Sequence, residues 1–259
     1  MKKYAGYLID LDGTVYNGTE KIPEAIDFVK NLKQQNIPYL FLTNNSTKHP
    51  RDVAAKLRDM DVPAREEDVF TTSMATATYI AEQAPNARVY AIGEEGLTLA
   101  LEEAGLTLTD EAIDYVVMGL ARNITYEKLA IGALAIRNGA KFVATNGDVA
   151  LPSERGFLPG AGSLISVLSV TTGVEPLFIG KPESIIVEQA LEVLGTNKAS
   201  TVMVGDNYYT DILAGIQAGI DSLLVFSGVT TKEELKSIKV KPTYTIDSLS
   251  DWTIIKEEG

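Results

Sequence analysis

The sequence predicts an α/β protein built on a parallel sheet with crossover helices. Short apolar runs alternate with longer amphipathic stretches along the chain, which is the pattern such a sheet requires. At 259 residues, 45% of them hydrophobic, the chain can bury a sizeable core in one large or two smaller units. Four of the apolar runs end in polar groups: Asp10 with Asp12, Thr43-Asn44-Asn45, Lys181, and Gly205-Asp206. Ligands of open α/β sheets bind beyond the carboxyl ends of the strands.

The elements follow in order. Residues 7–9 form the first strand and 23–35 a helix with Ile26, Val29, Leu32 and Lys33 setting its faces. Residues 37–46 read as a strand and polar turn, and 50–60 as a second helix. A second group starts with a strand at 87–93, a helix ending at Gly105 and a strand within 114–120. It continues with a helix over 126–138 and a strand-turn at 140–148, and Gly160-Ala161-Gly162 is expected to be a loop before a helix. The strand at 176–182, a helix over 184–194 and a strand-turn at 201–211 come next, followed by a helix ending at Gly219 and a strand at 222–226.

Composition removes several kinds of chemistry. There is no cysteine, so disulfides, thiolate nucleophiles and zinc–sulfur sites are excluded, and one histidine, His49, cannot make a multi-histidine metal site. The formal charge of −12 opposes binding to nucleic acid or to an anionic membrane. A bound cation could still draw an anionic substrate to such a chain. The apolar run after Met1-Lys2-Lys3 is interrupted by Asp10, too early for a signal sequence or membrane span, and a cytoplasmic protein is expected.

Motif tests narrow the rest. A calcium loop starting at Asp10 needs glycine at 15 and glutamate at 21, where the chain has Val15 and Lys21. Gly180-Lys181 lacks both the earlier glycine of a nucleotide-binding loop, its place taken by Glu175, and the following hydroxyl, replaced by Pro182. Gly160-Ala161-Gly162 lacks the third glycine of a dinucleotide fingerprint, and no G-x-S-x-G elbow occurs.

Carboxylate chemistry remains. Two neighbouring carboxylates repel unless a cation lies between them or one holds a proton. The first arrangement gives a nucleophile beside a metal, and the second a proton donor for a leaving oxygen. Asp10 and Asp12 fit these two roles, with Asp206 a third acidic group for a hard cation. Lys181 supplies a positive charge, Thr43 a hydroxyl, and Asn44 and Asn45 backbone N–H groups for an anion. Asp211 is read three ways: ligation through water, orientation of Lys181, or a helix cap beside Thr210. Asn207 is a further supporting group.

With these residues in place the sequence resembles the haloacid dehalogenase superfamily. Asp10-Leu11-Asp12-Gly13-Thr14 is similar to its first motif, the stretch ending in Thr43 to the second, Lys181 to the third, and Gly205-Asp206 through Thr210-Asp211 to the fourth. The stretches TNGD and LPSERG point to the NagD-like, p-nitrophenyl phosphatase branch, which includes acid sugar phosphatases. The resemblance implies a Rossmann-like core at residues 1–80 and 176–259 with an inserted α/β cap of the C2 type at 81–175. It implies a phosphatase in which Asp10 attacks phosphorus and Asp12 is the general acid–base. Mg²⁺ would be held by Asp10, the backbone carbonyl of Asp12, and Asp206. Asn146 and Asp148 would face the leaving group, although TNGD also reads as a tight turn after a strand. The expected partner is a small phosphorylated substrate, with sugar or acid-sugar phosphates first and nucleoside monophosphates next. Neither nucleic acid nor membrane is expected, and a homodimer through the cap is the assembly to test for. A phosphomutase is the nearest alternative enzyme, and a phosphate-accepting signalling module the alternative from another class.

Overall fold

The computed structural model describes residues 2–151, 153 and 155–255. Pro152 and Glu154 of the LPSERG stretch lie outside the described residues.

In chain order the strands begin with β1 (Gly6–Ile9), β2 (Tyr16–Asn17), β3 (Glu20–Lys21), β4 (Tyr39–Thr43) and β5 (Val69–Thr71). They continue with β6 (Arg88–Ile92), β7 (Thr107–Leu108), β8 (Tyr115–Met118), β9 (Lys141–Ala144) and β10 (Ala150–Leu151). The last are β11 (Leu158–Pro159), β12 (Leu177–Phe178), β13 (Thr201–Gly205), β14 (Asp221–Val225) and β15 (Tyr244–Ile246). The helices are α1 (Pro23–Gln34), α2 (Pro50–Asp59), α3 (Thr72–Gln83), α4 (Glu95–Glu103) and α5 (Tyr126–Arg137), then α6 (Ala161–Thr172), α7 (Ser184–Leu194), α8 (Leu213–Ala218) and α9 (Lys232–Ser237). No helix among the described residues is long and apolar enough to cross a membrane.

The chain divides into two compact units. The first comprises residues 1–43, 51–70 and 181–259, and the second residues 44–50 and 71–180. The first contains a six-stranded sheet in the order β15-β14-β13-β1-β4-β5. β1, β13 and the last four residues of β4 are buried throughout, so they read as near-continuous apolar runs rather than alternating ones. β1 lies parallel between β4 and β13, with Leu8 opposite Leu40 on one side and Met203 on the other. The chain thus leaves β1 toward one edge and returns much later on its other side, creating a switch point between β1 and β13.

α1 shows why the flanking helices form where they do. Pro23 starts it with a preset φ, Glu24 and Lys33 complement the helix dipole, and Ala25, Ile26, Phe28, Val29 and Leu32 bury one stripe. That stripe joins Tyr7, Ile9, Phe41, Leu57, Val202 and Trp252 in the core of this unit. The Trp252 indole N–H donates to the Tyr7 hydroxyl at 3.3 Å.

The second unit holds a five-stranded sheet in the order β12-β9-β8-β6-β7, with all four pairings parallel. Val116, Met118, Phe142, Ile165 and Leu168 form its core. The unit boundaries fall at 70/71 and 180/181 rather than at the expected 80/81 and 175/176. α3 packs on α4, so the chain has already entered the second unit by Thr72. β12 pairs with β9 (Leu177 opposite Val143), making this run an edge strand of the second sheet, while Lys181 begins the return to the first. Beyond the strand expected at residues 222–226, β15 adds a sixth to the first sheet, and its three residues, none fully buried, carry too little apolar signal to be read from sequence.

Replacing Leu32, which has 0% exposure, should leave a cavity under α1. Urea denaturation of Leu32→Ala should show a loss of about 2–5 kcal/mol. A loss well under 1 kcal/mol would mean that α1 carries little of the stability of this unit.

Candidate active site

The polar groups of the first unit converge at the carboxyl edge of its sheet. Asp10 directly follows β1 and Asp206 directly follows β13, and because these strands are paired, both emerge at the switch point. The Asp10 backbone N–H donates to the Val204 carbonyl at 2.9 Å, carrying the strand pairing right up to the carboxylate. A single π-helical turn, Tyr208–Ile212, then returns Asp211 to the same place. Oxygens of Asp10, Asp206 and Asp211 all lie within 4.8 Å of one another, and all three residues are buried.

Lys181 is buried with them. Its Nζ donates to Asp10 Oδ1 at 2.5 Å, to Asp211 Oδ1 at 2.7 Å and to the Leu42 carbonyl of β4 at 3.0 Å. All three ammonium protons therefore have acceptors. Burial pulls the lysine pKa down, but Asp10 and Asp211 more than offset that and hold it above its ordinary value. Burial, and then the Asp211 charge, push the Asp10 carboxyl well above the usual carboxylate range against the pull of Lys181. Asp206 is pushed up to about 6, by burial first and Asp211 second, while the Val229 N–H and the Thr14 hydroxyl pull the other way. One ammonium cannot balance three carboxylates. Protons or a cation must supply the rest.

The bonds separate the three acids by role. Asp211 Oδ1 accepts from Lys181 and its Oδ2 accepts the Asn207 backbone N–H at 3.1 Å, contacts of the kind expected of a group that orients the lysine or caps its own turn. Asn207 caps the same turn, its side chain accepting the Tyr209 N–H at 3.0 Å. Asp10 Oδ2 and Asp206 Oδ1 instead meet at the Thr14 hydroxyl, 3.4 and 3.0 Å away. These two oxygens are not the ones bonded to Lys181, and with Asp211 the two residues make a buried carboxylate group of a kind that could hold a hard cation.

Asp12 is apart from that cluster. Its side chain is exposed, with Oδ1 accepting the Gly18 backbone N–H at 3.0 Å. The turn at Gly13, whose φ is +94°, separates the two aspartates, as only glycine does without strain. Thr43 is buried at the end of β4 in the same unit.

The other four expected residues belong to the second unit. Asn45 Oδ1 accepts both the backbone N–H and the hydroxyl of Thr47, each at 2.8 Å. Asn146 is buried; its Nδ2 donates to the Asn44 carbonyl at 2.9 Å and its Oδ1 accepts the Asp148 N–H at 3.2 Å. Asn44 Nδ2 in turn donates to Asp148 Oδ2 at 3.3 Å. Asn146 thus ties two loops together, and Asp148 is the half-buried acid that the tie positions.

Sequence reasoning placed Thr14 in the first motif without a role of its own and did not single out Gly228. A hydroxyl placed four residues after Asp10 gave no hint that it would reach a carboxylate on another strand. Gly228 presses on Asp206: a Cβ there would stand 2.1 Å from Asp206 Oδ2 and 2.9 Å from the Gly13 Cα. The neighbouring Val229 N–H donates to the same oxygen at 2.7 Å.

Comparison with known proteins matches this architecture. The family model for haloacid dehalogenase-like hydrolases matches residues 7–107, and a second, HAD-hydrolase-like, matches residues 178–252. The chain is 64% identical over 252 residues to the 5'-nucleotidase YutF of Bacillus subtilis, covering 97% of this chain and 98% of the relative. It is 54% identical over 258 residues to the acid sugar phosphatase of Staphylococcus saprophyticus, covering 99% of each. Among solved structures, a mutant of the thermostable p-nitrophenylphosphatase from Bacillus stearothermophilus superimposes with a TM-score of 0.91 at 59% identity, covering 98% of this chain and 100% of that one.

A methyl group at position 228 should overpack the carboxylate cluster. Gly228→Ala is expected to cost about 1–3 kcal/mol in urea denaturation. An unchanged midpoint would show that the loop yields without disturbing Asp206.

Proposed function

This chain belongs to the haloacid dehalogenase-like hydrolases and is a phosphatase of their NagD-like branch, and we propose that it hydrolyses small phosphorylated metabolites through covalent attack by Asp10. The observation that carries this reading is the arrangement of Asp10, with one oxygen on Lys181 and the other meeting Asp206 at the Thr14 hydroxyl.

A nucleophilic carboxylate must be ionised, and burial disfavours that. Lys181, held in place by Asp211 and the Leu42 carbonyl, supplies part of the compensating charge. The donor set suits Mg²⁺, which Asp10, Asp206 and the backbone carbonyl of Asp12 would hold. When bound, it neutralises the excess negative charge and polarises a phosphoryl oxygen. Asp10 attacks phosphorus, the bond to the leaving oxygen breaks, and Asp12 donates its proton to that oxygen. Asp12 then takes a proton from water, which attacks the aspartyl phosphate and frees Asp10 and inorganic phosphate. The exposed position of Asp12 suits a group that must exchange protons in each turnover. Lys181, its protons committed to Asp10, Asp211 and the Leu42 carbonyl, lends its charge to the phosphoryl group, while Thr43 offers its hydroxyl and Asn44 and Asn45 backbone N–H groups.

The names of the relatives cover nucleotides, acid sugars and an aryl phosphate. The proposed substrates are accordingly sugar or acid-sugar phosphates and nucleoside monophosphates. Asp148, positioned by Asn146 and Asn44, is the proposed contact to leaving-group hydroxyls.

Asp10→Asn should abolish phosphate release, and EDTA should silence the wild-type enzyme until Mg²⁺ is restored. Turnover by Asp10→Asn above a trace, or full activity in chelator, would overturn the mechanism. Asp148→Ala should lower kcat/KM for a sugar phosphate by about fivefold to a hundredfold, a hydrogen bond to a charged group being worth roughly 1–3 kcal/mol. It should change p-nitrophenyl phosphate least. Parallel losses on both substrates would remove Asp148 from substrate recognition.

A further inference from the structure

Asp12 has to present a proton to the leaving oxygen, yet it is an exposed residue next to a very small hairpin. β2 and β3 contain two residues each, and a ribbon of that size does not hold its shape alone. The hairpin is joined to the catalytic loop by a bridge between Asp12 and Tyr16 and by the Gly13 N–H, which donates to the Tyr16 carbonyl at 2.7 Å. At its tip lies Gly18, with φ of +60°. The two polar groups of this one residue face different partners. Its N–H donates to Asp12 Oδ1, and its carbonyl accepts from Lys56 Nζ of α2 at 3.1 Å. The same ammonium stands 3.7 Å from the centroid of the Tyr16 ring. Partial desolvation there lowers the Lys56 pKa, with Asp12 pulling the opposite way.

Each contact has a physical purpose. Fixing one oxygen of Asp12 leaves the other to carry and transfer the proton, and the fixed oxygen is only as steady as Gly18. A cation against a tyrosine face is worth roughly 0.5–2 kcal/mol depending on desolvation. Together with the bond to the Gly18 carbonyl, it clamps both the base and the tip of the hairpin to a helix of the core. Lys21 adds a tie from β3 to Asp61 at 2.6 Å, but that pair is exposed and does not reach Gly18. We propose that Lys56 is a positioning residue for the leaving-group step: by holding Tyr16 and the Gly18 carbonyl it fixes the Asp12 carboxylate without touching the reacting atoms. The inference rests on the reading of Asp12 as the general acid–base.

The test is steady-state kinetics on the full-length enzyme with Mg²⁺, using p-nitrophenyl phosphate and glycerol phosphate. The first leaves as a stabilised phenolate and the second as an alkoxide that needs the proton. Lys56→Met should lower kcat/KM on glycerol phosphate about tenfold, a modest share of what a displaced catalytic group can cost. It should lower kcat/KM on p-nitrophenyl phosphate, which reports only the steps through departure of the phenolate, by about threefold or less, with the melting temperature lowered by a few degrees at most. Lys56→Arg, which can keep both contacts, should restore most of the loss. In the Asp12→Asn background, Lys56→Met should add nothing on glycerol phosphate, because the group it positions is gone. Equal losses on both substrates, or a full additional loss in the double variant, would overturn the proposal while leaving the role of Asp12 intact. If Asp12→Asn itself lost the same factor in kcat/KM on both substrates, the acid–base reading would fail, and the role of Lys56 with it.

Discussion

The ion cluster of Lys181 with Asp10, Asp206 and Asp211 is the constraint around which the first unit is arranged. Burying one such pair is close to neutral at best, and burying an excess of carboxylates is a cost the fold has to meet elsewhere. It does so with fixed donors: the Thr14 hydroxyl, the N–H groups of Asn207 and Val229, and a lysine with no proton unassigned. A site held this way has little to reorganise when charge moves from phosphorus to a leaving oxygen.

The sheet order makes the cluster possible. Asp10 and Asp206 are far apart in the chain, and they meet because β1 lies between strands reached at different times. The loops that follow must then come very near each other. A Cβ at Gly13 would stand 2.3 Å from Asp206 Oδ2, and one at Gly205 would stand 2.3 Å from the Asp211 Cβ. Glycine at these positions reflects the space that the carboxylates occupy, and at Gly13 it also meets a φ that other residues resist.

The second unit solves a different problem. Its loop residues Asn44, Asn146 and Asp148 bond chiefly to one another and to backbone, so the loops after β4 and β9 are braced by side chains rather than by sheet pairing. The core of this unit is independent of that bracing, being made from the faces of β8, β9, α5 and α6. Such separation lets loop residues vary in a family whose named relatives act on different phosphate esters.

The chain by itself made the α/β class and the first-unit acids plain. Buried parallel strands are apolar along their whole length, so Asp10 and Asp206 stand out as charges at the ends of runs such as Thr201–Gly205. Helices with a clean apolar stripe, such as α1 and α7, were legible to within a residue. α3 was not, because TSMATATY is rich in β-branched threonine, and its start depends on Thr71 accepting the Met74 N–H at 3.2 Å. Only the folded chain assigned residues 176–180 to the second unit, since an apolar run carries no label for the strand it will pair with. The same holds for the contacts of Thr14, Gly228 and Lys56. Their partners lie on other elements, and a hydrogen bond between distant segments leaves no periodicity in the sequence from which it could be read.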